Sequence, residues 1–249
     1  MPRFFVEKQS IGAENIVIGG EDAKHISLSL RARVGEKITA CDGEGNDYEC
    51  EISDITKNEV TLKILEEKAS DAEPSVKVTL YQALVKSDKF DFIVQKCTEL
   101  GVSRIVPVQT DRCISKPDDA SLSKKLVRWN KIAKEAAMQS GRGCIPTVED
   151  AVTFEEALTL MKKDDLSFLC YETNPHVPIE KIYKARLEEK NIGSASFLVG
   201  PEGGISEKEA TLAKEKGIDL AGLGPRILRT ETAPLCVLSC LMLMSGNMN

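Results

Sequence analysis

The sequence predicts an α/β protein with a mainly parallel sheet, preceded by a small β-barrel. Three observations carry that expectation. The first 70 or so residues alternate polar and apolar side chains with the two-residue period of strands. A charged stretch from Glu66 to Pro74 then interrupts all periodicity and ends in proline, as a linker does. Beyond it, short apolar runs alternate with segments of helical spacing. The expected organisation is a barrel over residues 1–70 and an α/β domain over residues 74–249.

Taken in order, residues 21–30 suit a short helix. Residues 37–41, 48–53 and 60–65 read as strands, with Asp42-Gly43 and Gly45-Asn46 as turns. After the linker, residues 76–84 form a strand. Phe90, Ile93, Val94, Cys97 and Leu100 then share one helical face, and Gly101 stops that helix. Residues 105–108 are short and apolar. In the helix expected over 122–139, Leu126, Trp129, Ile132, Ala133 and Ala136 point inward, while Lys124, Lys125, Arg128, Lys131 and Lys134 surround them. Strands follow at 166–171, 195–199 and 220–223. Helices follow at 179–189 and from Ser206, where Ser206 and Glu209 have the spacing of a capping box. The last apolar run, Pro234 to Met244, falls short of the roughly 20 residues that span a bilayer and reads as a core helix.

Composition narrows the function. Net charge is −6, but the sign is unevenly spread: residues 1–72 hold 9 basic against 15 acidic side chains, and residues 86–142 hold 12 against 7. A local basic surface is therefore available to a polyanion. Aromatic residues make up only 5% of the chain, against a base-stacking platform. The eight cysteines form no CxxC pair and only two histidines are present, so no zinc-ligand spacing exists and no metal is expected. Cysteines in apolar runs and the lack of a signal-peptide core in Met-Pro-Arg-Phe-Phe-Val suit a reduced, cytoplasmic protein without a membrane anchor.

Two segments carry the chemistry. Phe197-Leu-Val-Gly-Pro-Glu-Gly-Gly-Ile205 runs from a strand into the capped helix, and its three glycines let backbone approach a ligand. It lacks the G-x-G-x-x-G and P-loop patterns, so a phosphate cradle has no support. Leu223-Gly-Pro-Arg-Ile-Leu-Arg-Thr-Glu-Thr-Ala233 also joins a strand to a helix and places Arg226, Arg229 and Glu231 in one loop. Thr230 or Thr232 can cap that helix, and Glu231 suits its N-terminus.

Together these segments resemble the cofactor-binding end of SPOUT methyltransferases. The most similar family is the one that methylates N3 of a uridine in the decoding region of 16S ribosomal RNA. The resemblance extends along nearly the whole chain: Pro2-Arg3-Phe4-Phe5, His25 to Arg31, Lys86 to Phe90, Gln95 to Gly101, and Gln139-Ser-Gly-Arg142. Where the family usually has an acidic residue before the Gln139-Ser140 pair, this chain has Met138.

The resemblance implies a PUA-like or OB-like barrel followed by a SPOUT domain with a C-terminal trefoil knot. It implies a homodimer with S-adenosyl-L-methionine bound in the knot. Leu198, Val199, Gly200, Glu202, Gly203, Leu223, Gly224, Arg226, Ile227, Leu228, Thr232 and Ala233 are the cofactor-binding candidates. Uridine N3 must lose a proton, or its anion must be stabilised at O2 and O4. Arg229 and Arg226 are candidates for that stabilisation, and Glu231 either accepts a proton or orients an arginine. Arg3, His25, Arg31, Lys86, Arg112 and Arg142 are candidates for contacts to 16S rRNA in the small ribosomal subunit. For His25, a structural or RNA-contacting role outweighs a catalytic one. A SPOUT enzyme with another target, such as a ribose 2′-hydroxyl, and a catalytically silent RNA-binding protein remain the alternatives.

Overall fold

The structure, a computed structural model, describes residues 2–114, 118–173 and 176–248. It divides into two compact units, the first formed by residues 1–73 with 137–145 and the second by 74–136 with 146–249.

The first unit is a five-stranded sheet in the order β1-β3-β4-β5-β2, with β1 at Arg3–Phe5, β2 at Asn15–Gly19, β3 at Lys37–Cys41, β4 at Asn46–Ile55 and β5 at Glu59–Ala69. Only β1–β3 is parallel. Period-two patterning works as expected: Ile16 and Ile18 turn inward on β2, and Val60 and Leu62 on β5, onto a core with Ile38 and Ile52. A short helix α1, Gly20–Lys24, passes into a turn of π-helix at His25–Ser29. The charged run expected as linker is partly strand. β5 continues through Ala69 against β4, where Lys68 donates to Glu49 at 2.6 Å. Met138, placed where the family has an acid, packs into the hydrophobic core of this unit.

The second unit is a sheet in the order β11-β13-β10-β12-β6-β7-β8, with β9 also on β7, and every ladder in it is parallel. Its strands are β6 at Lys77–Ala83, β7 at Arg104–Gln109, β8 at Thr147–Val148, β9 at Val152–Thr153, β10 at Leu166–Cys170, β11 at Val177–Pro178, β12 at Ser194–Val199 and β13 at Asp219–Gly222. The helices are α2 at Ser87–Glu99, α3 at Asp119–Gln139, α4 at Phe154–Met161, α5 at Ile179–Glu189, α6 at Glu207–Glu215 and α7 at Ala233–Met244.

Aliphatic runs on central strands are buried on both faces, as parallel sheets require. Trp129 of α3 stacks on Phe90 of α2 with ring centroids 4.0 Å apart, and its indole N–H donates to Asp91 at 3.1 Å. α6 opens with the expected capping box: Ser206 Oγ accepts from Glu209 N–H, and Glu209 Oε2 accepts from Ser206 N–H. α4 has the same device between Thr153 and Glu156. No helix among the described residues is long and apolar enough to cross a membrane.

Candidate active site

The two loop segments singled out in the sequence leave two strands of one sheet at their carboxyl ends, one from β12 and one from β13, with β10 between them. They form opposite walls of one cleft of about 580 Å³ in the second unit. That volume lies within the range of small-molecule sites.

The first wall, residues 199–205, is held from several sides. Gly204 N–H donates to Pro201 O and closes a turn. Arg112 donates to Gly203 O at 2.9 Å. Thr230 Oγ1 donates to Gly200 O at 2.7 Å and accepts from Gln82 Nε2 at 3.2 Å. The α6 cap contributes too, since Glu209 Oε1 accepts from Asp111 N–H beside Arg112. Gly204 has φ +70°, and a Cβ there would lie 2.3 Å from Glu172 Oε1. Its lack of a side chain is therefore what lets Glu172 stand against the loop.

The second wall, residues 223–230, is open. Gly224 has φ +96° with nothing near its missing side chain. Arg226 and Ile227 project into solvent, Ile227 with 85% exposure. Its start is fixed at Gly222, where the ring of His176 occupies the space of a side chain. Its end is fixed by Thr230. This threonine was expected as a helix cap, but α7 begins at Ala233 without a side-chain cap and the Thr230 hydroxyl binds Gly200 and Gln82 instead.

Of the expected cofactor contacts, Val199, Gly200, Glu202, Gly203, Leu223, Gly224, Arg226, Ile227, Leu228 and Ala233 line the cleft. Leu198 does not, being wholly buried in the core beneath the sheet, and neither does Thr232. Arg229 lines it, with its guanidinium 3.9 Å from Glu231 and largely exposed. Lys89, His176 and Glu172 also line it and were not read from the sequence.

Lys89 stands between two carboxylates, 3.1 Å from Glu202 and 3.4 Å from Glu231. The hydrogen bond to Glu202 foremost, with the charges of both acids, raises its pKa against the opposing effect of burial. Burial works to raise the Glu202 carboxyl, but hydrogen bonds from its own backbone N–H and from Lys89, with the nearby charges of Lys89 and Lys86, hold it below the usual range.

The six expected RNA contacts divide. His25 and Arg31 are exposed on the first unit, His25 edge-on to Phe4. Arg31 has a positive φ of 53°, unusual for a side-chain-bearing residue. Lys86 is exposed at the start of α2. Arg112 holds the loop after β12 through Gly203 O. Arg3 grips Asp47 with both terminal nitrogens at 2.6 and 2.8 Å. Arg142 is a correction: it is buried, its side chain only 4% exposed, and it binds Glu73 through two nitrogens. A guanidinium so enclosed has no free face for a phosphate.

Comparison with known proteins agrees with this geometry. A family model described as RNA methyltransferase domain matches residues 72–242, and one described as RNA methyltransferase PUA domain matches residues 18–65. The ribosomal RNA small subunit methyltransferase E of Bacillus subtilis is 38% identical over 245 residues, covering 97% of this chain and 96% of the relative. That of Synechocystis is 32% identical, covering 95% and 76%. The crystal structure of the Neisseria gonorrhoeae protein of that name, bound to S-adenosyl methionine, superposes with a TM-score of 0.86 at 33% identity and 98% coverage of both chains. With its glycine-rich cleft between two parallel strands, its PUA-type sheet and these relatives along almost its full length, the chain belongs to the ribosomal RNA small subunit methyltransferase E family.

Proposed function

We propose that this protein transfers a methyl group from S-adenosyl-L-methionine to N3 of a specific uridine in the decoding region of 16S rRNA, within the small ribosomal subunit. The observation that carries this reading is the cleft itself. Two strand-to-helix turns, one packed and one open, enclose a volume suited to a nucleoside-sized ligand, and a relative with the same fold binds that cofactor. The glycines at 200, 203 and 204 let the first turn pack closely against Ile205, Arg112 and Glu172, which holds its backbone in one course along the cleft. Residues 199–204 and 223–228 would hold the cofactor. Bound there, it supplies a methyl carbon made electrophilic by its sulfonium, the carbon–sulfur electron pair leaving on sulfur.

The chain's own residues have the remaining tasks. Arg229 and Arg226, exposed at the mouth, are suited to stabilise negative charge on the uracil oxygens. Arg229→Ala should leave cofactor affinity unchanged and lower kcat about a hundredfold, the cost of losing one well-placed charge-stabilising donor. Normal methylation by that variant would remove Arg229 from the mechanism.

We assign RNA binding to the barrel region, residues 1–70, and catalysis to residues 74–249. His25, Arg31 and Lys86 are the exposed candidates for phosphates, and contacts of this kind predict activity that falls as salt rises. The family resemblance further suggests a trefoil knot, a cytoplasmic setting and a homodimer. Support for the dimer comes from α7, which is apolar all round yet leaves Leu243 61% exposed.

The deciding test is transfer of labelled methyl groups to unmodified small ribosomal subunits, with the product mapped by nucleoside mass spectrometry. One 3-methyluridine is the expected result. Methylation of a ribose or of another base would move the target while keeping the enzyme class.

A further inference from the structure

We infer that Lys89 is the positioning residue that ties the two turns of the cleft together and presents Glu231 to the target base as its proton acceptor; this rests on the methyltransferase reading above. Lys89 lies in the first turn of α2, where the positive end of the helix dipole disfavours a cation. Two carboxylates compensate. Glu202 comes from the turn after β12 and Glu231 from the turn after β13, so one ammonium bridges both walls.

The second observation concerns Glu231 itself. Its Oε2 is buried and has no hydrogen-bond donor. Lys89 Nζ, at 3.4 Å, gives this oxygen a charge contact without the geometry of a hydrogen bond, and Arg229 stands 3.9 Å from the other oxygen. With Oε2 enclosed against Lys89, the other oxygen, Oε1, is the one left to accept from a donor elsewhere. The N3–H of uridine is such a donor. The N3–H bond breaks, the proton moves to Glu231 Oε1, and the electron pair stays on N3, which becomes the nucleophile. Lys89 touches no reacting atom. It keeps Glu231 pointing one way, and keeps Glu202 and its loop in register with it.

The experiment is a double-mutant cycle on the full-length protein, reading cofactor affinity by calorimetry and single-turnover methyl transfer to unmodified small subunits. The wild type, run alongside, tests the underlying reading: if it neither binds the cofactor nor transfers methyl, that reading has failed, independently of any variant. With an active wild type, Lys89→Met should weaken cofactor binding about tenfold, equivalent to about 1.4 kcal/mol. Glu231→Gln alone should slow transfer about a hundredfold, the lower end for loss of a general base. The Lys89→Met/Glu231→Gln enzyme should transfer no more slowly than Glu231→Gln, because Lys89 acts through that carboxylate, and Lys89→Arg should recover most of the lost rate. Unchanged affinity and rate in Lys89→Met, or losses that multiply in the double variant, would overturn the assignment. If Lys89→Met does not fold, Glu202→Gln cuts the same bridge from the loop side; wild-type cofactor affinity in that variant would equally overturn it.

Discussion

The two turns that wall the cleft both open on Gly-Pro and have opposite physical character. The turn after β12 is pinned by Arg112, Thr230 and the α6 capping box, and each of its flexible glycines abuts something. The turn after β13 is fixed at its two ends and open between them, with Ile227 and Arg226 in solvent. Glycine therefore means different things in the two places. In the first it makes room for neighbouring protein groups. In the second it provides a left-handed backbone with free space around it, so that ligand and RNA have something to order. On this contrast the first wall is expected to be preformed and the second to be completed by binding.

The largest effect should come from Thr230, which joins the two walls by a direct hydrogen bond in addition to the Lys89 bridge. Thr230 is 6% exposed, and its hydroxyl serves both Gly200 O and Gln82 Nε2. Thr230→Val keeps the shape and strands the Gly200 carbonyl, at about 1–3 kcal/mol, and one N–H of Gln82 Nε2, which keeps its bond to Ala83 O at 3.1 Å. Thermal unfolding should fall by several degrees, since each kcal/mol moves Tm by about 2–4 °C at this chain length. Thr230→Ser should recover most of that. An unchanged Tm in Thr230→Val would mean the walls are independent.

Next in size is Gly204→Ala, in the packed wall. Its φ of +70° costs a side-chain-bearing residue about 1–2 kcal/mol. The added Cβ, 2.3 Å from Glu172 Oε1, also forces that carboxylate to swing away from the loop. Both Tm and cofactor affinity should fall. Loss of affinity without loss of stability would place the first wall among the parts that form on binding, against the contrast drawn above.

What could be read from the sequence in this region was what is local. The glycines, the strand ends and the Ser206–Glu209 cap all lie within a few residues of one another, and each was placed. Non-local features were hidden. Lys89 and Glu231 are far apart in sequence and meet only because α2 and the β13 turn both leave the carboxyl edge of the same parallel sheet. Arg142 lies in a segment that looks like an RNA contact until Glu73, far back in the chain, takes its charge. The strand at Glu66–Ala69 was missed because its stabilising partner is an ion pair, Lys68 to Glu49, which leaves no apolar alternation to detect. The α4 cap, Thr153 with Glu156, is the exception: it is as local as the α6 cap and could have been found by the same rule.

The smallest effect on stability should come from Gly224→Ala, and it tests the open wall most directly. Its φ of +96° is as unusual as that of Gly204, yet no atom lies within 4 Å of the missing side chain. A loop exposed at that position can relax, so the penalty to folding should stay below the roughly 1–2 kcal/mol of a residue held left-handed and Tm should hardly move. Cofactor affinity should respond more, because the relaxed loop no longer offers the backbone course that binding selects. The ratio of the two effects is the informative quantity. A loss of affinity exceeding the loss of stability identifies residues 223–228 as the wall that the ligand orders, whereas equal losses would show that this turn is as fully built before binding as the one across the cleft.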